Sequence, residues 1–256
     1  MLLAGGPAAL LLQVAHPLVA AGVAEHSDFA GDPLRRLHGT LDATLTVTFG
    51  DTAQAQDAAA YVGERHRSVR GALPVATGSL PAGTPYRATD PDLALWVFAT
   101  LVWTALVVTD GFLRPVPAEE RDAYYQDMTE FARLFGVPRS ALPHDYAGLH
   151  RYVHCQLDTV LAVGATAQRL AGQILFPDPP LVAPPARALP ALLAAGVLPG
   201  SLRAQYGLRW GLGDRLAFRG LQQAARRTLP LLPAAARYWP HYQMAVRRLR
   251  PPGPTG

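Results

Sequence analysis

The stretch from Leu93 to Val108, LALWVFATLVWTALVV, decides the fold. It carries no charge and no alternation of polar and apolar positions, and two Trp and two Thr interrupt its aliphatic run. About 20 apolar residues are needed to cross a bilayer, so a run of this length and composition predicts a core helix, with a membrane span as the alternative. The helix extends over Asp92 to Phe112. Working outward, the chain reads as helix nearly everywhere, with almost no period-two alternation. The expectation is an all-α, single-domain helical bundle over residues 1–256.

Ala8 to Ala24 reads as an apolar helix interrupted or kinked at Pro17, followed by a polar loop from Glu25 to Asp32. Leu34 to Thr48 is the second helix, although its β-branched end, Thr44 to Thr48, also suits a short strand. Asp51 or Thr52 then caps a long helix running through Arg70, and Leu73 to Pro91 is a loop rich in Gly, Pro and Thr. Further helices are expected from Ala118 to Phe135, in two pieces from Tyr146 to Leu175, and over Leu189–Val197, Ser201–Arg227 and Leu231–Arg250. A Pro-rich segment lies between Pro177 and Pro190.

All 23 basic residues are Arg, Lys and Asn are absent, and Ile174 is the sole Ile, a pattern that suggests a high-GC bacterial gene. Without Lys there is no P-loop, no Schiff base and no Ser–Lys dyad. A net charge of +4 with no run of five basic residues predicts no nucleic-acid partner. The single Cys155 forbids an intramolecular disulfide and fits the reducing cytoplasm, where the protein is expected. Met1 to Ala24 lacks a basic leader and is interrupted by Pro7, Gln13, His16 and Pro17, so neither a signal peptide nor an integral membrane span is expected.

Reactive chemistry must come from the eight His. His150, His154 and Asp158 are spaced i, i+4, i+8 and share a helix face, which suits a non-heme metal or simply a solvated surface. His-Glu-x-x-His, Gly-x-Ser-x-Gly and Cys-x-x-Cys are all absent. Arg36 and Thr40, four residues apart, share a face of the second helix, with His38 pointing roughly to its opposite side. Thirty residues after Arg36, His66 falls on a helix face with Val62, Val69 and Arg70, where a boundary histidine is the ordinary reading.

Several phrases occur in register. They are Gly5-Gly6-Pro7 through His16-Pro17, Gly22-Val23-Ala24-Glu25-His26-Ser27, Phe49-Gly50, His66-x-x-Val69-Arg70-Gly71 and Asp92-x-x-Leu95-Trp96-Val97. Over residues 1–175 the chain resembles the bacterial and fungal family of the oxygenase MpaB and the rubber oxygenase latex clearing protein. The resemblance implies a globin-like heme b protein that activates O2, or uses peroxide, to oxidise or cleave an apolar small molecule. It places the axial iron ligand on His66, with His26 as fallback, and sets Arg65, Arg67 and Arg70 near enough to compete for the heme propionates. Arg36 and Thr40 match a distal pair able to donate hydrogen bonds to dioxygen or to a developing oxyanion. Two departures stand out: Gly39 replaces a Lys that closes the iron site in rubber oxygenases, and Phe98 replaces a His found in many relatives. The alternatives are a non-catalytic heme-binding or sensor protein, a helical interaction module without cofactor, and a metal enzyme using His150, His154 and Asp158.

Overall fold

A computed structural model describes residues 2–26, 33–177 and 186–249, without the side chains of residues 2–4, 33–38 and 40. Among the described residues, thirteen α-helices and one two-stranded sheet make up the protein. The helix that contains the apolar run, α5 (Pro91–Phe112), starts where the Asp90 carboxylate accepts the Asp92 amide at 2.9 Å and Pro91 fills the first turn. Of the described helices it alone is long and apolar enough to cross a bilayer unaided. Eleven of its side chains are buried, Trp96 completely, because other helices wrap it. These are α1 (Leu2–Ala15), α6 (Ala118–Leu134), α7 (Tyr146–Thr159), α9 (Leu189–Val197) and α11 (Leu212–Thr228).

The expected first helix is two helices. At His16 the chain turns by 104° between α1 and α2 (Pro17–His26), since Pro17 has no amide to continue the ladder. The last carbonyls of α1 would otherwise be orphaned. The Trp96 indole donates to the Leu12 carbonyl at 3.2 Å, the Ala162 amide to Ala15 at 3.0 Å, and the Tyr206 hydroxyl to Leu11 at 2.7 Å. These bonds fix the bend, which sends α2 against α8 (Ala165–Leu175).

His16 occupies the bend almost fully buried, with Nδ1 accepting the Leu18 amide at 3.3 Å. Burial lowers its pKa to about 4, outweighing the nearby Asp90 carboxylate, which raises it. A histidine held neutral in the fold binds its proton first in the unfolded chain. This contribution to stability is therefore complete above about pH 6.5 and is lost as pH falls toward 4. We expect denaturation midpoints to drop over that window and the slope to flatten in His16→Gln. An unchanged slope in the variant would assign the acid sensitivity elsewhere.

The β-branched segment Thr44 to Thr48 is helical, inside α3 (Pro33–Phe49), so helical packing overrides its strand propensity. After Gly50, Asp51 caps α4 (Thr52–Arg67) in a reciprocal box with Gln54, both bonds at 2.9 Å. This helix stops at Arg67, three residues short of expectation. Arg70–Ala72 forms β1, paired antiparallel with Pro85–Arg87 as β2, with Gly71 opposite Tyr86. The expected loop is thus largely a hairpin, and Val69 and Arg70 do not share a helix face with His66. Later helices are shorter than expected: Gly207 (φ +64°) separates α10 (Gly200–Gln205) from α11, and Pro233 and Pro240 set off α12 (Ala234–Arg237) and α13 (Pro240–Leu249). One hydrophobic cluster runs from Ala8 on α1 to Phe218 on α11. A second, smaller one joins Ala21, Leu73, Tyr86 and Leu93 beneath the hairpin.

Candidate functional site

The two-residue connection Gly50-Asp51 folds α4 back along α3, and the two helices pack together. At 1.5 Å per residue, Arg36 and His66 each lie about 20 Å from that connection, so both belong to the far end of the helical pair. The backbones of Arg36, His38 and Thr40 belong to α3, while their side chains lie outside the described residues. Gly39 is exposed, and a Cβ built there meets nothing within 4 Å.

His66 stands in the last turn of α4, exposed, and its ring nitrogens have no partner among the described residues. A helix C-terminus ordinarily favours a protonated imidazole. Here partial enclosure of the ring, and then the charge of Arg65, lower its pKa, so the neutral form is favoured. The neighbouring cations are in different states. Arg65 lies over the Tyr61 ring at 5.8 Å, Arg67 pairs with Glu64, and Arg70 has no ion-pair partner among the described residues. An exposed i, i+3 pair such as Glu64–Arg67 contributes little and yields readily to another anion.

Past Ser68 the chain enters the hairpin, where two of the quoted motif phrases, the one ending α2 and the one following α4, meet. Tyr86 is buried, and its hydroxyl donates a short hydrogen bond to the Glu25 carboxylate of α2. Burial and that carboxylate push the phenol pKa well above its usual value, so Tyr86 remains a donor. Gly71 is required opposite it: a Cβ there would lie 2.6 Å from the Tyr86 hydroxyl and 2.9 Å from Glu25 Oε2. His26 is the final residue of α2 and not part of a loop. Its Nε2 donates to the Arg70 carbonyl at 3.1 Å, and its ring meets Tyr86 edge-on with centroids 6.3 Å apart. Thus Glu25-His26 and Arg70-Gly71, far apart in sequence, are clamped together one turn beyond His66. Sequence reasoning assigned no role to Tyr86 or Glu25. The signal lay in a glycine and a lone tyrosine flanking a segment read as loop.

Elsewhere the candidates disperse. His150, His154 and Asp158 are all exposed on α7, with the two imidazole centroids 4.5 Å apart. Among the described residues no three His, Cys, Asp or Glu side chains are placed to hold a metal ion. Spacing along a helix set the three on one side without bringing their donor atoms to one point. A groove of about 440 Å³ opens between α2, the Leu73–Gly78 loop and the start of α8, and His66, Arg65, Arg67 and Arg70 do not line it.

A family model for the catalytic domain of the ER-bound oxygenase mpaB/B′ and rubber oxygenase matches residues 1–227. The chain belongs to this oxygenase family. Uncharacterized proteins of Mycobacterium bovis and Mycobacterium tuberculosis are each 28% identical to it over 237 residues, covering 90% of both chains. No solved structure matches the chain. Within the mpaB/rubber oxygenase family, the all-α architecture and the motif-bearing clamp are therefore the setting in which His66 is to be judged. The groups there are of the kind that hold a heme: an imidazole favoured in its neutral form and, among the described residues, without a hydrogen-bond partner, and four positions later the guanidinium of Arg70, without an ion-pair partner among them. Phe98, where many relatives have His by the resemblance, is buried in α5 against Tyr125, centroids 6.2 Å apart, as part of the core.

Proposed function

We propose that this member of the family is a heme b-dependent oxygenase that uses O2 on an apolar small molecule. The observation that carries the reading is the His66-x-x-Val69-Arg70-Gly71 motif, inside the family-matched region, beginning at the end of a helix with an imidazole that favours its neutral form and has no partner among the described residues. Heme b, when bound, supplies the redox chemistry that makes O2 reactive toward a hydrocarbon. His66 would hold the iron through one nitrogen, leaving the other N–H for an acceptor that orients the ring. Arg70, together with Arg65 and Arg67, would hold the propionates, with Arg70 the least encumbered. Arg36, at the same end of the α3/α4 pair, keeps its charge at any working pH and would donate to an oxyanion developing on oxidant or substrate. Thr40, one turn nearer the connection, would add a neutral donor. Gly39 has no side chain with which to close the iron site.

The test is the visible spectrum of purified protein, followed by one variant. A Soret band typical of His-ligated heme is expected. Arg36→Leu is expected to keep the heme and its band while turnover falls about a hundredfold, the usual scale for a lost oxyanion donor. Absence of any heme after expression with excess precursor overturns the cofactor. Unchanged turnover in Arg36→Leu overturns the assigned role.

A further inference from the structure

The charge of the chain is divided unevenly along its length. Up to residue 202 there are thirteen Arg and eighteen acidic residues. From Arg203 to Arg250 there are ten Arg and one acidic residue, Asp214, so a segment of net +9 follows one of net −5. The overall +4 hides this contrast. The same segment carries large apolar side chains on its outside. Leu212 is 75% exposed, Leu231 83% and Leu249 79%, with Leu216, Trp239 and Met244 also exposed.

The two properties are interleaved. Leu212, Arg215, Leu216 and Arg219 recur at i, i+3, i+4 and i+7 along α11, and all four are exposed, so one outer stripe alternates aliphatic and guanidinium groups. Away from that stripe on α11, Phe218 is buried against Phe112 and Trp210, with ring centroids 5.4 and 5.5 Å away. The helix is thus held by its inner face, and its outer face is free of packing duties. Further on, α13 is anchored on α3: Arg248 donates to the Phe49 carbonyl at 2.9 Å, and Tyr242 meets Phe49 edge-on. Its outer residues again pair an apolar group with a cation, Met244 with Arg247, at i and i+3. Four of these exposed apolar groups, Leu231, Trp239, Met244 and Leu249, follow residue 227, where the family match ends.

We infer that the outer stripe of α11 is a docking face for an anionic lipid membrane, on which the protein lies peripherally. Charge complementarity selects the partner. Guanidinium groups on flexible stems reach phosphate headgroups while the interspersed Leu side chains enter the acyl boundary, which is the composition of an interfacial rather than a spanning element. A nucleic acid would reward the charges and leave Leu212 and Leu216 in water. This inference does not rest on heme or on the assignment of His66.

The experiment is co-flotation of the full-length protein with vesicles of phosphatidylcholine alone, and of phosphatidylcholine containing a minority of phosphatidylglycerol. Binding to the second set only is expected, weakening as salt is raised. Arg215→Glu/Arg219→Glu is expected to reduce binding at least tenfold. Leu212→Ser/Leu216→Ser, which leaves the charge intact, is expected to reduce it severalfold through loss of apolar insertion. Both pairs are exposed, so circular dichroism should show both variants folded. Equal binding to both vesicle sets, no binding to either, or indifference to the Leu pair overturns the inference. Retention by duplex DNA without vesicle binding overturns it in favour of nucleic acid.

Discussion

His66→Ala is expected to lose heme essentially completely while the helices remain intact. The ring is exposed and makes no hydrogen bond to described residues, and alanine is the better helix former, so the structural cost should lie within about 0.5 kcal/mol either way. Far-ultraviolet circular dichroism should therefore match the wild type while the Soret band disappears. Imidazole added from solution is expected to restore part of the band by filling the vacated space. Full heme occupancy with an unchanged spectrum would remove His66 from the iron. In that event His26→Ala becomes decisive, although the bond from His26 to the Arg70 carbonyl gives that residue an occupation of its own.

Trp96→Ala is expected to produce a large loss of stability. The side chain is completely buried in α5, lies 6.4 Å from the Tyr152 ring, and donates the indole bond that closes the end of α1. Cavity formation at such a site costs about 3–5 kcal/mol, and stranding the Leu12 carbonyl adds about 1–3 kcal/mol. For a chain of this size the cavity cost alone would lower the melting midpoint by roughly 6–20 °C. Trp96→Phe separates the contributions, since it keeps most of the ring volume and removes only the donor. A cost below about 1 kcal/mol for Trp96→Ala would mean that α1 is not held by α5 in this way.

The sequence made the helices visible because their signals are local. The apolar run of α5 and the Asp51 cap can each be read within a few residues, and each is present. The errors occurred where long-range contacts decide. Nothing near Pro17 distinguishes a kink from a 104° turn; that choice is made by Trp96, Ala162 and Tyr206 satisfying carbonyls on α1. Likewise Arg70 to Ala72 left the helix because Gly71 had to admit Tyr86, a residue 15 positions later. The candidate site divides the same way. Motif register pointed to His66, Arg70 and Arg36, but the clamp of Glu25 on Tyr86 is a tertiary contact between two segments that show no periodicity. The His150/His154/Asp158 reading illustrates the converse, since regular spacing suggested a constellation that the donor atoms do not form.

The bond from Tyr206 to the Leu11 carbonyl joins residues 195 positions apart, and α1 also packs on α8 and α9, which follow it by 150 residues or more. α1 is therefore made long before all of the helices that cover it are available. At about 5–20 residues per second, its apolar surface would wait roughly 10–40 s for those partners. During synthesis the apolar surface of α1 is an aggregation hazard until those partners arrive. A chain that stops before α9 would keep that hazard permanently, and the folding rate should be governed by the closing of this one long loop rather than by the formation of its many local helices.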